Sequence, residues 1–136
     1  MAEHLEQGRT AESSALKYLE SRGLRLVARN YRSKGGEIDL IMQQNDSLVF
    51  IEVRYRQSSR FGTAAESVTP SKQRKLLLTA GHYLQEKGSQ APCRFDVVGI
   101  SGKNQTEIAS VSLPRERFWD IRVPKIDSPT RQPLCP

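Results

Sequence analysis

The stretch from Glu37 to Tyr55, EIDLIMQQNDSLVFIEVRY, alternates apolar and polar residues over Glu37 to Gln43 and again over Ser47 to Tyr55, on either side of an Asn45-Asp46 turn signal. A period of two marks a strand with one buried face, and Asn-Asp between two such runs closes them into a hairpin. The fold must therefore contain a sheet. Strand arithmetic places Ile51, Val53 and Tyr55 on one face and Glu52, Arg54 and Arg56 on the other; in the first arm it places Glu37 and Asp39 on one face, with Ile38 and Leu40 opposite. An acid and two cations in register fit either a solvated sheet surface or half of an active site.

The remaining elements can be read around this hairpin. Leu5 to Ser21 carries a helical stripe of Leu5, Ala11, Ala15, Leu16 and Leu19 that Gly23 stops. Leu24 to Tyr31 is strand-like, with Leu24, Leu26 and Ala28 alternating against Arg25, Val27 and Arg29, and Ser33-Lys34-Gly35-Gly36 is a turn. Gln57 to Val68 reads as a polar loop. Thr69-Pro70-Ser71 opens a second helix with Leu76, Leu77, Ala80, Tyr83 and Leu84 on its buried face, and Gly88 ends it. Arg94 to Ile100 and Ile108 to Val111 are two further strands. The order is helix, three strands, helix, strand, strand, which predicts an α/β sandwich with a mixed sheet. The chain of 136 residues is one domain's worth, over 1–121, followed by a Pro-rich disordered tail over 122–136.

Cys93 and Cys135 stand far apart, so no disulfide is expected and a reducing compartment fits. The longest clean apolar run is Leu48 to Ile51, far short of a membrane span, and the first residues have no apolar segment of signal-peptide length. The expectation is a soluble, cytoplasmic protein with no membrane partner.

The net charge is +6, and the cations are clustered. Arg22, Arg25, Arg29, Arg32 and Lys34 come without an intervening acid, and Arg54, Arg56, Arg60, Lys72, Arg74 and Lys75 are opposed by Glu66 alone. Clustered cations point to a polyanion, since phosphate neutralisation supplies most nonspecific nucleic-acid affinity; the plainer account is a surface charged for solubility. Arg29, Arg32, Lys34, Arg56, Lys72 and Gln73 are the candidate nucleic-acid contacts. The last two fall in the first turn of the second helix, where backbone N–H groups favour phosphate.

If the hairpin arms pair, Asp39 and Glu52 come from neighbouring strands and can converge. Carboxylates held a few ångströms apart repel each other, and a hard divalent cation relieves the repulsion: Mg²⁺ typically takes one or two carboxylates plus phosphate and water. Beside a basic surface this constellation predicts metal-assisted phosphodiester cleavage. Arg54 is no base, because stripping its proton at neutral pH costs roughly 7 kcal/mol; its task would be to clamp the phosphate and offset transition-state charge. Glu37 could instead hydrogen-bond the Gly35-Gly36 turn. His82 has no second histidine or cysteine at ligand spacing and reads as a helix-surface or packing residue, and Asp96 as one that starts or pins its strand. Phe118 and Trp119 read as an apolar lid or partner contact.

G-E-I-D-L-I (36 to 41) followed by F-I-E-V-R (50 to 54) resembles the D…E-x-K core of the PD-(D/E)xK nuclease superfamily. With Gly8 and Glu12 on the first helix and Thr69-Pro70-Ser71-Lys72-Gln73 opening the second, the chain resembles, from about Gly8 to Ile100, the YraN-like family of uncharacterised bacterial proteins, which is similar to archaeal Holliday-junction resolvases. The resemblance implies a restriction-endonuclease-like αβββαβ core, a mixed sheet flanked by helices, a Mg²⁺ (or Mn²⁺) cofactor, action on DNA including branched DNA, and, by analogy with resolvases, a homodimer. It carries over Asp39, Glu52 and Glu12 as metal ligands, and Asp39, Glu52 and Arg54 as the catalytic set. Arg54 stands where the pattern has lysine and Ile38 where it has proline. Two rivals share these residues: a non-catalytic DNA-binding descendant in which Arg54 has exchanged turnover for grip, and an RNA- or ribosome-associated basic module.

Overall fold

A computed structural model of the chain describes residues 2–56, 68–101 and 107–112. Helix α1 (Ala2–Ser21) leads into strands β1 (Arg25–Ser33), β2 (Gly36–Gln44) and β3 (Ser47–Arg56), followed by helix α2 (Pro70–Lys87), β4 (Cys93–Ser101) and β5 (Glu107–Ser112). The five strands form one sheet in sequence order, antiparallel at every pair except the parallel β3–β4. A parallel neighbour requires a long crossover, and α2 lies on it. The αβββαβ order and mixed sheet expected from the sequence are both present. The 57–67 part of the expected loop, Phe118, Trp119 and the expected tail over 122–136 lie outside the described residues. None of the described helices is long and apolar enough to cross a membrane.

Pleating sorts the core into two halves. Ile41 and Phe50, paired across β2 and β3, join Phe95, Leu76, Leu77 and Tyr83 under α2. Met42 and Val49, the next pair along, join Ala11, Ala15, Leu19 and Val98 under α1. The aromatic side chains tie β1, β3 and β4 to α2: Tyr83 meets Tyr31 edge-on at 5.1 Å between ring centroids, and Phe50 stacks on Phe95 at 5.4 Å. Both ends of α2 are capped as its sequence requires. Thr69 Oγ1 accepts a hydrogen bond from Lys72 N at 3.2 Å, Pro70 opens the first turn, and Gly88 ends the helix in the left-handed region at φ 61.

Two sequence-based face assignments are corrected. Ile38 and Leu40 do not share a face, since Ile38 packs under α2 and Leu40 under α1. In β1, Leu26 packs on the α1 side but Ala28 on the α2 side. The cause of the second is a register shift between Leu26 and Ala28 that leaves Val27 out of the alternation and 42% exposed. The first coincides with a left-handed backbone at Asn30, φ 51, across the ladder from the Ile38–Leu40 segment. A non-glycine residue there costs about 1–2 kcal/mol.

The β1–β2 turn sits against α2. A Cβ added at Gly35 would stand 2.9 Å from Leu78 Cβ and 3.1 Å from the Thr79 backbone nitrogen. Neither neighbour is the loose end of a flexible chain, so the strand and helix must move apart. Gly35→Ala is expected to destabilise the domain by about 1–3 kcal/mol, lowering the urea midpoint without changing the slope of the transition; an unchanged midpoint would show that the turn can back away freely.

Candidate active site

Pairing between β2 and β3 runs from Gln44↔Ser47 to Leu40↔Ile51 and ends there. Beyond that point the strands part, and the side chain of Asp39 fills the gap: its Oδ2 accepts the Val53 backbone N–H at 2.8 Å. A carboxylate thus takes the ladder hydrogen bond that a neighbouring strand would otherwise accept. Glu52 precedes that amide by one residue, and its charge acts on Asp39.

Glu52 is 5% exposed and tolerates burial through two cations. Arg54 Nε lies 3.4 Å and Lys72 Nζ 3.5 Å from the same oxygen, Oε2. Arg54 Nε is itself buried and, beyond this ionic contact, has no hydrogen-bond partner among the described residues. Lys72 arrives from the first turn of α2, so the Thr69 cap and the packing of α2 on the sheet together deliver a cation to β3. Asp39 is in a different position. No ion pair among the described residues involves it, and burial first, then the charge of Glu52, push its carboxyl up to about 7. The Val53 N–H opposes that rise, while Glu12 and Glu37 add to it.

Glu12, the third expected ligand, projects from α1 within electrostatic reach of Asp39 but is paired with Arg29 Nη2 at 3.2 Å. Among the described residues no three His, Cys, Asp or Glu side chains are assembled closely enough to hold a metal ion. The three-carboxylate shell expected from the sequence is therefore not assembled among the described residues. Asp39 and Glu52 remain as the candidate donors, since a Mg²⁺-type ion takes one or two carboxylates; the Asp39 carboxyl is raised first by burial and second by the Glu52 charge that such a cation would offset.

The expected nucleic-acid contacts divide into groups. Arg32 is 78% exposed by side chain and pairs with Glu37 at 3.5 Å; this, rather than the Gly35-Gly36 turn, is the ionic partner the structure gives Glu37. Arg29 faces Glu12, Lys34 is exposed in the β1–β2 turn, and Lys72 faces Glu52. Gln73 does not reach the surface: it is 5% exposed and its Nε2 donates to Val68 O at 2.9 Å, fixing the entry to α2. The side chain of Arg56 lies outside the described residues. His82 is half-buried on α2, with Nδ1 2.7 Å from Ser33 Oγ. Asp96 pins strands as expected, accepting from Ser112 Oγ at 2.7 Å across β4–β5.

Sequence reasoning missed the Val53 amide as a partner of Asp39, and it missed that Lys72 would meet Glu52. It also passed over Asn30, whose signal was visible: asparagine is a poor strand former and the residue type, after glycine, that most readily adopts left-handed backbone.

Residues 11–100 match the uncharacterised protein family UPF0102. A relative from Nitrosococcus oceani, named only as a UPF0102 protein, is 56% identical over 104 residues, covering 75% of this chain and 84% of its own. A second, from Saccharophagus degradans, is 56% identical over 103 residues, covering 74% and 87%, and one from Hahella chejuensis is 52% identical over 103, covering 75% and 83%.

The raised pKa of Asp39 makes stability pH-dependent. Between the unfolded value of 3.8 and the folded value of about 7, the folded state holds a proton that the unfolded chain has released, so stability falls as pH rises through this window. Asp39→Asn keeps an acceptor for Val53 N–H without the charge. In metal-free buffer the variant is expected to melt above the parent at pH 8, with the difference closing as pH falls below 7 toward 4. A parent protein whose melting temperature does not fall relative to the variant across that range would show that Asp39 ionises freely.

Proposed function

The chain belongs to the uncharacterised protein family UPF0102, and from its carboxylate pair we propose that it binds DNA and hydrolyses phosphodiester bonds with a divalent cation, Mg²⁺ or Mn²⁺. The observation that carries this reading is the placement of Asp39 in the β2–β3 gap beside Glu52, with two cations already converging on Glu52. Asp39 and Glu52 would hold the ion. When bound, such an ion polarises a phosphoryl oxygen and lowers the pKa of its water.

The remaining work falls to this chain's own residues. Arg54, permanently charged, binds a phosphate oxygen and offsets charge that builds there; it does not move a proton. Lys72, in the first turn of α2, can exchange part of its contact with Glu52 for a phosphate, and Arg32 and Lys34 extend the positive surface along the β1–β2 turn for the flanking backbone. One observation favours a second reading, a DNA-binding module without turnover: Glu52 is already neutralised by Arg54 and Lys72, so the site holds together with no metal.

A nuclease panel of duplex, single-stranded and branched DNA, with structured RNA as a competitor, separates the two. The hydrolytic reading expects nicking that requires Mg²⁺ or Mn²⁺ and falls by about 100-fold or more in Asp39→Asn. Restoring a tunable amine with Arg54→Lys is expected to raise the rate by roughly tenfold or more, within the range of acid–base assistance. DNA affinity indifferent to metal, with no cleavage in either the parent or Arg54→Lys, would leave the binding module in its place, and preference for RNA at fixed salt would remove DNA from the reading altogether.

A further inference from the structure

Among the described residues the non-glycine positions with positive φ are Asn30 and Asn45. Asn45 lies in the β2–β3 hairpin turn, where the turn accounts for it. Asn30 lies inside β1, at φ 51, with paired residues on either side: Arg29 opposite Leu40 and Tyr31 opposite Ile38. Asn30 therefore falls across the ladder from Asp39.

At that level both strands change phase. Ala28 and Tyr31, three residues apart, both pack on the α2-side cluster, as do Ile38 and Ile41. Strict alternation would put residues three apart on opposite faces. Between the members of each pair the regular positions persist: Arg29 reaches Glu12 on α1, and Leu40 packs under α1. The step is thus confined to Asn30 and Asp39. It is the level at which β2 leaves β3 and Asp39 turns to the Val53 N–H at 2.8 Å instead of joining Ile41 beneath α2.

We propose that Asn30 is a positioning residue for Asp39: its left-handed backbone produces the paired step in β1 and β2 that carries the Asp39 carboxylate into the gap beside Glu52. Its side chain is exposed, so packing does not account for it, and conformation does. Glycine adopts this backbone freely, alanine poorly and valine least. The consequence for metal binding rests on the reading of Asp39 and Glu52 as an ion-holding pair; the consequence for the Val53 hydrogen bond does not.

The test compares Asn30→Gly, Asn30→Ala and Asn30→Val in the full chain, with Asp39→Ala as the reference for a lost acceptor. Amide exchange by NMR, taking Val53 relative to the neighbouring amides of β3, removes any uniform change in stability. Val53 is expected to exchange at least tenfold faster in Asn30→Val, as in Asp39→Ala, with Asn30→Ala between and Asn30→Gly like the parent. Calorimetric Mn²⁺ affinity is expected to follow the same order, with glycine within twofold of the parent. Should valine not fold, the glycine and alanine variants alone carry the comparison. Protected Val53 in folded Asn30→Ala or Asn30→Val, or its loss in Asn30→Gly, overturns the proposal. Absence of Mn²⁺ binding in the parent removes the metal reading while the Val53 exchange still decides the role of Asn30.

Discussion

The hydrogen bond from Val53 N–H to Asp39 Oδ2 is the contact on which the site is built. In a continuous hairpin that N–H would be satisfied by a backbone carbonyl, and the strands would stay zipped. Here a carboxylate takes its place, which leaves a half-buried acid with one good donor and the charge of a second carboxylate acting on it. One hydrogen bond does not compensate the burial of a charge. Hence the carboxyl rises to about 7, close to where a small change in surroundings decides its ionisation. The fold holds the two acids together against their repulsion by means of packing elsewhere: Ile41, Phe50 and Phe95 under α2, and Met42, Val49 and Ile51 under α1, are almost wholly buried.

Electrostatics at this point are asymmetric. Glu52 has two cationic partners and Asp39 none among the described residues. The same asymmetry runs through the basic surface. Arg29 and Arg32, which the sequence presents as an uninterrupted positive stretch, are each matched by an acid from elsewhere, Glu12 on α1 and Glu37 on β2. The net charge therefore overstates the local positive potential on β1. An exposed pair such as Arg32–Glu37 is worth only about 0–1 kcal/mol, so a phosphate can compete for the arginine at little cost. Arg94 and Asp96 form a different kind of pair: Asp96 is buried and also holds Ser112, which makes it part of the β4–β5 joint and not of an exchangeable surface.

What could be read from the sequence was what is decided locally. The Asn45-Asp46 turn, the Thr69 cap, Pro70 and the Gly88 stop each depend on a few neighbouring residues, and the element order follows from them. The approach of Asp39 to β3 was legible because a hairpin with a tight turn has only one sensible register, although the partner it meets there is the Val53 N–H. Ile38 and Leu40 were placed wrongly because the alternation of β2 steps at Asp39, level with the left-handed Asn30 of β1, and period-two counting carries no knowledge of φ. Gln73 was read as a surface residue from its position in the first turn, although α2 rotates it inward to bind Val68 O. Lys72 and Glu52 are brought together by a crossover from β3 into α2, and Arg29 and Glu12 by the packing of α1 on the sheet; neither follows from spacing along the chain.

The doubled cation on Glu52 bears on how the proposed site would fill. Arg54 and Lys72 already satisfy Glu52, so in that reading a divalent ion alone would have to compete with them for it. A phosphate would give both cations an alternative partner and leave Glu52 available as a donor. Affinities for ion and phosphate would then be linked, each raising the other by the same factor, as any coupling between two sites requires. Asp39, with no cationic partner among the described residues, would be the fixed donor, and Glu52 the one whose availability a phosphate would control.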